Sequence, residues 1–139
     1  MKLFTSNQLK FAGTLALLTV AFRFGLSALL DHKEFSPVWV IAVLYGVLIF
    51  IAGWIFGKKD HESIPLYDIG FRFHLTTYIV YNILSELWFM LGFHSQYENI
   101  KVIHLTVFIW GICIVIHFIF FLISRKDTIK GLEKSEIFE

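Results

Sequence analysis

The chain has 139 residues, of which 57% are hydrophobic and 17% are charged, with a formal net charge of +1 and a mean hydropathy of +0.70. A soluble domain of this length needs more charged residues than this to cover its surface. The small net charge gives no indication of a nucleic-acid partner, and the single cysteine, Cys113, excludes an intrachain disulfide. The composition therefore predicts one domain that lies in a lipid bilayer, its main partner.

Four apolar segments of about 20 residues follow one another, which is the length that a helix needs to cross the hydrocarbon core of a bilayer. The first is too long for a signal peptide and no cleavage site follows it, so we expect it to be retained. Short connections make consecutive helices antiparallel neighbours. The sequence predicts an all-α integral membrane protein, a single-domain four-transmembrane-helix antiparallel bundle over residues 1–139. The predicted spans are about 11–30, 38–57, 73–92 and 102–124, the polar connections are Asp31–Pro37, Lys58–Arg72 and Phe93–Lys101, and a tail covers 125–139.

Positively charged residues are distributed unevenly between the two sides of this bundle. Only Lys33 and Lys101 lie on one side, whereas nine lie on the side of the two termini: Lys2, Lys10, Lys58, Lys59, Arg72, Arg125, Lys126, Lys130 and Lys134. Short connections rich in Lys and Arg remain in the cytoplasm. Both termini are therefore predicted to be cytoplasmic.

Two full charges, Arg23 and Glu86, lie inside predicted spans. Each costs about 2.5–3.5 kcal/mol at the centre of an inserted helix, so each should face protein or water. Counted from the same face of the membrane, they lie at nearly the same depth. We therefore expect Arg23 and Glu86 to form an ion pair, within one subunit or between two.

The third span carries a continuous polar stripe at helical spacing. Its members are His74, Thr77, Tyr78, Tyr81, Asn82, Ser85 and Glu86. In a membrane such a stripe faces other helices or a water-filled lumen. Hydrogen bonds within a closed bundle are one interpretation, each worth about 0.6 kcal/mol. A homo-oligomer with its third helices around a central axis is the other, and in that arrangement the stripe and Arg23 line the pore.

Two histidines, His74 and His117, lie near the cytoplasmic ends of the third and fourth spans, at similar depth. Two imidazoles so placed are the arrangement that the axial ligands of a haem b need. Local hydrogen bonding is the alternative, and the leading prediction includes no cofactor. The sequence contains no motif for a metalloprotease, a P-loop or a thiol redox centre, so neither a catalytic nor a metal site is predicted.

The second half of the chain, from about Phe71, resembles the two-transmembrane (2TM) domain of membrane proteins from Bacteroidota. The pattern Phe71-x-x-His74-x-x-x-Tyr78-x-x-x-Asn82 carries the resemblance, together with Trp110-Gly111-Ile112-x-x-x-x-His117 and a charged tail. It implies a bacterial inner (cytoplasmic) membrane location and a packed helix pair in which Trp110 and Gly111 form a packing motif. That family has no defined activity, so the resemblance names no function.

Three functions are consistent with these patterns. The leading hypothesis is a homo-oligomeric membrane channel or membrane-permeabilising effector without enzymatic activity, similar by analogy to effectors of anti-phage systems. The first alternative is a haem- or quinone-binding redox or sensor protein that uses His74 and His117. The second is a membrane anchor subunit for a cytoplasmic protein partner.

Overall fold

The computed structural model describes residues 5–61 and 65–135, which fold into four α-helices without any β-strand in this part of the chain. The helices are α1 (Ser6–Asp31), α2 (Val38–Asp60), α3 (Leu66–Met90) and α4 (Ile100–Ser135). The prediction of an all-α fold with four long helices is confirmed. Helix α4 also continues into the predicted tail, of which residues 136–139 lie outside the described range.

Helices α1 and α3 begin more than one turn before their predicted spans. Helix α1 begins at Ser6 because the Thr5 hydroxyl accepts a hydrogen bond from the backbone N–H of Gln8 at 3.0 Å, which caps the first turn. Helix α3 begins at Leu66, where Asp68 and Arg72 form an ion pair at i, i+4 with 2.7 Å between Oδ1 and Nε. Most of the predicted connection Lys58–Arg72 is therefore helical, because hydropathy marks the apolar part of a helix and not its polar turns.

The first and third helices end in the same backbone motif at one end of the bundle. The N–H groups of Gly92 and Phe93 donate to the carbonyls of Phe89 and Trp88, and Gly92 has φ 75°. In α1 the corresponding left-handed residue is Lys33, with φ 60°. This pattern satisfies carbonyls at the helix end and needs one residue with positive φ. We call the end with connections 32–37 and 91–99 the hairpin end, and the opposite one the N-terminal end.

The helices lie side by side in the order α2, α1, α3, α4. Helix α1 runs antiparallel to α2 and parallel to α3, and α4 runs antiparallel to α3. Helix α2 makes a smaller contact with α3, whereas within the described residues α4 packs against α3 alone. The bundle is therefore open between α2 and α4.

An apolar core occupies the half of the bundle nearer the N-terminal end. It consists of Phe11, Leu15, Ala52, Ile69 and Phe73, each at most 8% exposed. The rings of Phe11 and Phe73 are in contact, with centroids 4.7 Å apart. This core joins α1, α2 and α3, and it separates the polar residues at the two ends of α1.

The outer surface of the bundle is apolar. Helices α1, α2 and the Ile100–Lys126 part of α4 are long and apolar enough to cross a membrane, whereas α3 does not meet that criterion. Large side chains such as Phe50 and Phe108 are more than two thirds exposed on α2 and α4. Contiguous apolar surface of this kind marks contact with a membrane or a partner.

Candidate functional site

A buried ion pair lies at the hairpin end. The Nη2 atom of Arg23 is 3.1 Å from Oε2 of Glu98, and the two side chains are 3% and 5% exposed. The orientation of Nη2 lies outside that of a hydrogen bond, so the contact is ionic. The other oxygen of Glu98 accepts hydrogen bonds from the Ser27 hydroxyl at 2.6 Å and from the Ser95 N–H at 3.1 Å. The charge of Arg23 is thereby compensated inside the protein.

The predicted pair between Arg23 and Glu86 is wrong within one chain. Glu86 is instead 3.1 Å from Nε2 of His104, with side chains 36% and 60% exposed respectively. Counting residues along two helices compares the depths of two side chains but not the directions in which they point. Here Glu86 points towards α4, whereas Arg23 points towards the connection between α3 and α4. Sequence reasoning missed Glu98 because it lies in a segment predicted as an exposed polar loop. The sequence did indicate that Arg23 needs a partner, because a charged residue inside a span normally pairs with an opposite charge or with backbone carbonyls.

The connection 91–99 is fastened onto α1 by further polar contacts. Ser95 donates from its hydroxyl to a carboxylate oxygen of Asp31, and the Trp88 indole N–H donates to the Ser27 hydroxyl at 3.1 Å. Trp88 and Ser95 are both buried. The hairpin end is therefore closed by a polar cap in which α1, α3 and the connection share hydrogen bonds.

Polar groups continue from this cap into the middle of the bundle. Arg23 precedes Ser27 by four residues on α1, and Ser85 precedes Trp88 by three residues on α3. Arg23 and Ser85 therefore lie one helical turn further into the bundle than the contact of Ser27 with Trp88, at the same level of the interface between α1 and α3. Ser85 is 0% exposed. The Ser85 Oγ and the Arg23 Nε have no hydrogen-bond partner among the described groups. Buried polar atoms of this kind are normally satisfied by protein or ordered water.

The next turn of α1 carries Thr19, which is 0% exposed. Its hydroxyl donates to the Leu15 carbonyl at 2.8 Å and therefore accepts from the Tyr45 hydroxyl, 2.7 Å away on α2. Tyr45 was not predicted, although a lone hydroxyl in an otherwise apolar span was the available signal. We define the polar seam as the groups that run from the cap to this level, which are buried except for the partly exposed Tyr45: Thr19, Arg23, Ser27, Tyr45, Ser85, Trp88 and Glu98.

The seam stops at the apolar core. On the buried face of α1, Leu15 and Phe11 follow Thr19, and they are 0% and 1% exposed. Beyond them the same face becomes polar again at Gln8, whose amide nitrogen donates to the Thr76 hydroxyl at 3.0 Å. The interior is therefore polar at both ends and blocked between them.

Most of the predicted stripe on α3 faces neighbouring helices of the same chain, whereas His74 is exposed and lines an open groove together with Thr77. Tyr78 donates to the Val107 carbonyl at 3.2 Å, Thr77 to the Phe73 carbonyl at 2.9 Å, and the amide of Asn82 to the Tyr78 carbonyl at 2.7 Å. Asn82 is buried, and its Oδ1 has no partner among the described groups. The exposed side of α3 instead carries the apolar residues Ile79, Ile83 and Leu87. A lumen lined by the third helices of several subunits would therefore require other helices of each chain to move aside.

The residues that carried the family resemblance form the contact between α3 and α4. Tyr78 and Tyr81 each lie 5.8 Å from Trp110, measured between ring centroids. A Cβ atom added at Gly111 would lie 3.2 Å from the Tyr78 hydroxyl, which is a tight contact. Gly111 thus permits the close approach of the two helices.

The pair His74 and His117 does not fit a haem in this conformation. The two imidazole centroids are 5.1 Å apart, and the rings are in contact at an interplanar angle of 53°. A haem between two axial imidazoles places its whole macrocycle in the gap between them. Here α3 and α4 pack directly, with Gly70 beside His117, and leave no such gap. The residues 5–61 and 65–135 also contain no group of three or more side chains arranged to bind a metal.

Comparison of the chain with family models, with curated proteins and with solved structures finds no match. The resemblance to the 2TM domain therefore stays a prediction.

Proposed function

We propose that this chain is a four-span protein of the bacterial inner membrane with both termini in the cytoplasm, and that it acts as a small channel or membrane-permeabilising effector. Its path for protons or small ions runs through the polar seam of a single chain. Three helices are long and apolar enough to cross a membrane. Helix α3 lies between α1 and α4 and runs parallel to α1, so it crosses together with them.

The observation that carries this proposal is the alternation of polar and apolar side chains along the buried face of α1. Polar residues from Thr19 to Ser27 lead inward from the hairpin end, Leu15 and Phe11 block the middle, and Gln8 resumes the polar interior. Unpartnered atoms at Arg23 and Ser85 are of the kind that bound water satisfies. A wet path interrupted by a short apolar constriction is one way in which channels close, because water leaves the constriction.

This path differs from the one that the stripe on α3 predicted, because it needs no axis between subunits. Self-association stays a prediction, which counting the chains in each detergent-solubilised particle tests. The haem alternative is disfavoured by the contact between His74 and His117. The anchor alternative stays a prediction.

Proton and potassium flux into dye-loaded liposomes tests the proposal. Leu15→Ala shortens the constriction and should raise the flux well above that of the parent protein. Leu17→Ala is the matched control, because this leucine of the same helix is 75% exposed and faces away from the seam. Equal flux for both variants and the parent would contradict a constriction at Leu15. An increase with both variants would indicate general leakiness rather than a path.

A further inference from the structure

A long groove opens on the side of the bundle where α2 and α4 are apart. It has a volume of about 710 Å³ and extends along α2 from Tyr45 to Lys58 and His61. Its floor is formed by Phe11 of α1 and by Ile69 and Phe73 of α3. The groove shares Tyr45 with the polar seam, but its existence does not depend on ion conduction.

Three glycines of α2, Gly46, Gly53 and Gly57, make the groove deep. A Cβ added at Gly53 would lie 3.8 Å from Phe11, and one at Gly57 would lie 3.4 Å from Ile69. At Gly46, in contrast, no atom lies within 4 Å of an added Cβ. A side chain introduced at Gly46 would therefore occupy the groove without displacing the fold.

The dimensions of the groove decide what kind of molecule it holds. From Tyr45 to Lys58, α2 rises about 20 Å at about 1.5 Å per residue. The volume of 710 Å³ then corresponds to a mean cross-section of about 35 Å². A helix with its side chains has a diameter of about 10–12 Å and a cross-section more than twice as large. An extended hydrocarbon chain therefore fits inside the groove along its length, whereas a helix would lie only partly inside it.

The charge at the N-terminal end of the groove selects the head group. Lys58 and His61 line that end, and the lining residues within the described part of the chain include no acid. The adjacent Lys59 adds a second cation, with its Nζ 5.9 Å from the Phe56 ring centroid. Basic residues at a membrane surface attract anionic lipid head groups.

We propose that the groove between α2 and α4 binds one anionic phospholipid, with an acyl chain along Gly46 and Gly53 and the phosphate beside Lys58 and His61. The lipid enters sideways from the bilayer, since the groove is open along that side.

Native mass spectrometry of the full chain in detergent tests this proposal. The protein is supplied with equal amounts of phosphatidylglycerol and phosphatidylcholine that carry the same acyl chains. We expect one bound lipid per chain and a preference of about fivefold for phosphatidylglycerol, the effect of one basic residue at a membrane surface. The double variant Lys58→Gln/His61→Gln should bind both lipids equally, and Gly46→Leu should bind neither. Gly13→Leu is the matched control, because Gly13 also has no atom within 4 Å of an added Cβ and does not line the groove.

Four outcomes would overturn the proposal. Equal binding of the two lipids by the parent protein would remove the selection by charge. Unchanged lipid binding by Gly46→Leu would place the lipid elsewhere. Lipid-free dimers that Gly46→Leu dissociates would assign the groove to a second copy. Loss of bound phosphatidylglycerol on addition of inorganic phosphate would indicate a phosphate ion site, whereas resistance to phosphate supports a lipid.

Discussion

Neutralising Glu98 is the sharpest test of the hairpin-end structure. Arg23 and Glu98 are almost completely buried, so Glu98→Gln leaves the guanidinium in the interior without a counter-charge. Removing one partner of a buried pair costs about 3–5 kcal/mol. Glutamine keeps a side-chain oxygen that can accept from Ser27 and from the Ser95 N–H, so the loss reports the charge and not those two hydrogen bonds.

Glu86→Gln is the matched control, since it removes the same charge from a carboxylate that is 36% exposed and paired with His104. Both side chains of this pair are much more exposed than those of Arg23 and Glu98, so Glu86→Gln should lose less than Glu98→Gln. Equilibrium unfolding in mixed micelles, followed by helix content, measures both free energies. The double variant Arg23→Gln/Glu98→Gln should lose less than the sum of the single variants, by about 2 kcal/mol. Strict additivity, or a larger loss for Glu86→Gln than for Glu98→Gln, would refute the assigned pairing.

Two further predictions concern the backbone. Both Gly70→Ala and Gly111→Ala should gain about 0.5–1 kcal/mol of helix propensity. At Gly70 the added Cβ meets only ordinary contacts at 3.8 Å, whereas at Gly111 it would lie 3.2 Å from the Tyr78 hydroxyl, which must shift. The free energy of unfolding of Gly111→Ala should therefore be about 1 kcal/mol lower than that of Gly70→Ala, and equal values for the two variants would contradict this packing. Lys33→Gly should raise the thermal midpoint, since Lys33 has φ 60° and glycine relieves about 1 kcal/mol at such a position; a lower midpoint would argue against the left-handed cap.

The sequence predicts the helices well and their partners poorly. Long apolar segments specify where helices form, and the exposed apolar surface of α2 and α4 agrees with that logic. Depth along a span is also readable, because each residue adds about 1.5 Å. Depth does not give direction, and this is why Arg23 was assigned to Glu86. The actual partner, Glu98, depends on a connection that folds back over α1 through Ser95 and Asp31, and no periodic pattern encodes such a contact.

The stripe on α3 shows the same limit. Its periodicity correctly groups the polar side chains, but the pattern is identical whether the stripe faces a lumen or a neighbouring helix. In this structure Tyr78 of the stripe faces a neighbouring helix, because Trp110 and Gly111 of α4 approach it closely. The polar seam was only partly visible, because one of its hydroxyls, that of Tyr45, comes from a helix that otherwise appears uniformly apolar.

The seam and the groove meet at two side chains. Tyr45 lines the groove and is bonded to Thr19 in the seam, and Phe11 forms both the groove floor and the apolar block beside Leu15. A ligand shifts a conformational equilibrium only if its contacts differ between the two states. A lipid chain packed against Tyr45 in the closed state would lose that contact if opening of the path moves Tyr45 away from Thr19. Occupancy of the groove is therefore expected to favour the closed path, and by reciprocity opening the path should weaken lipid binding.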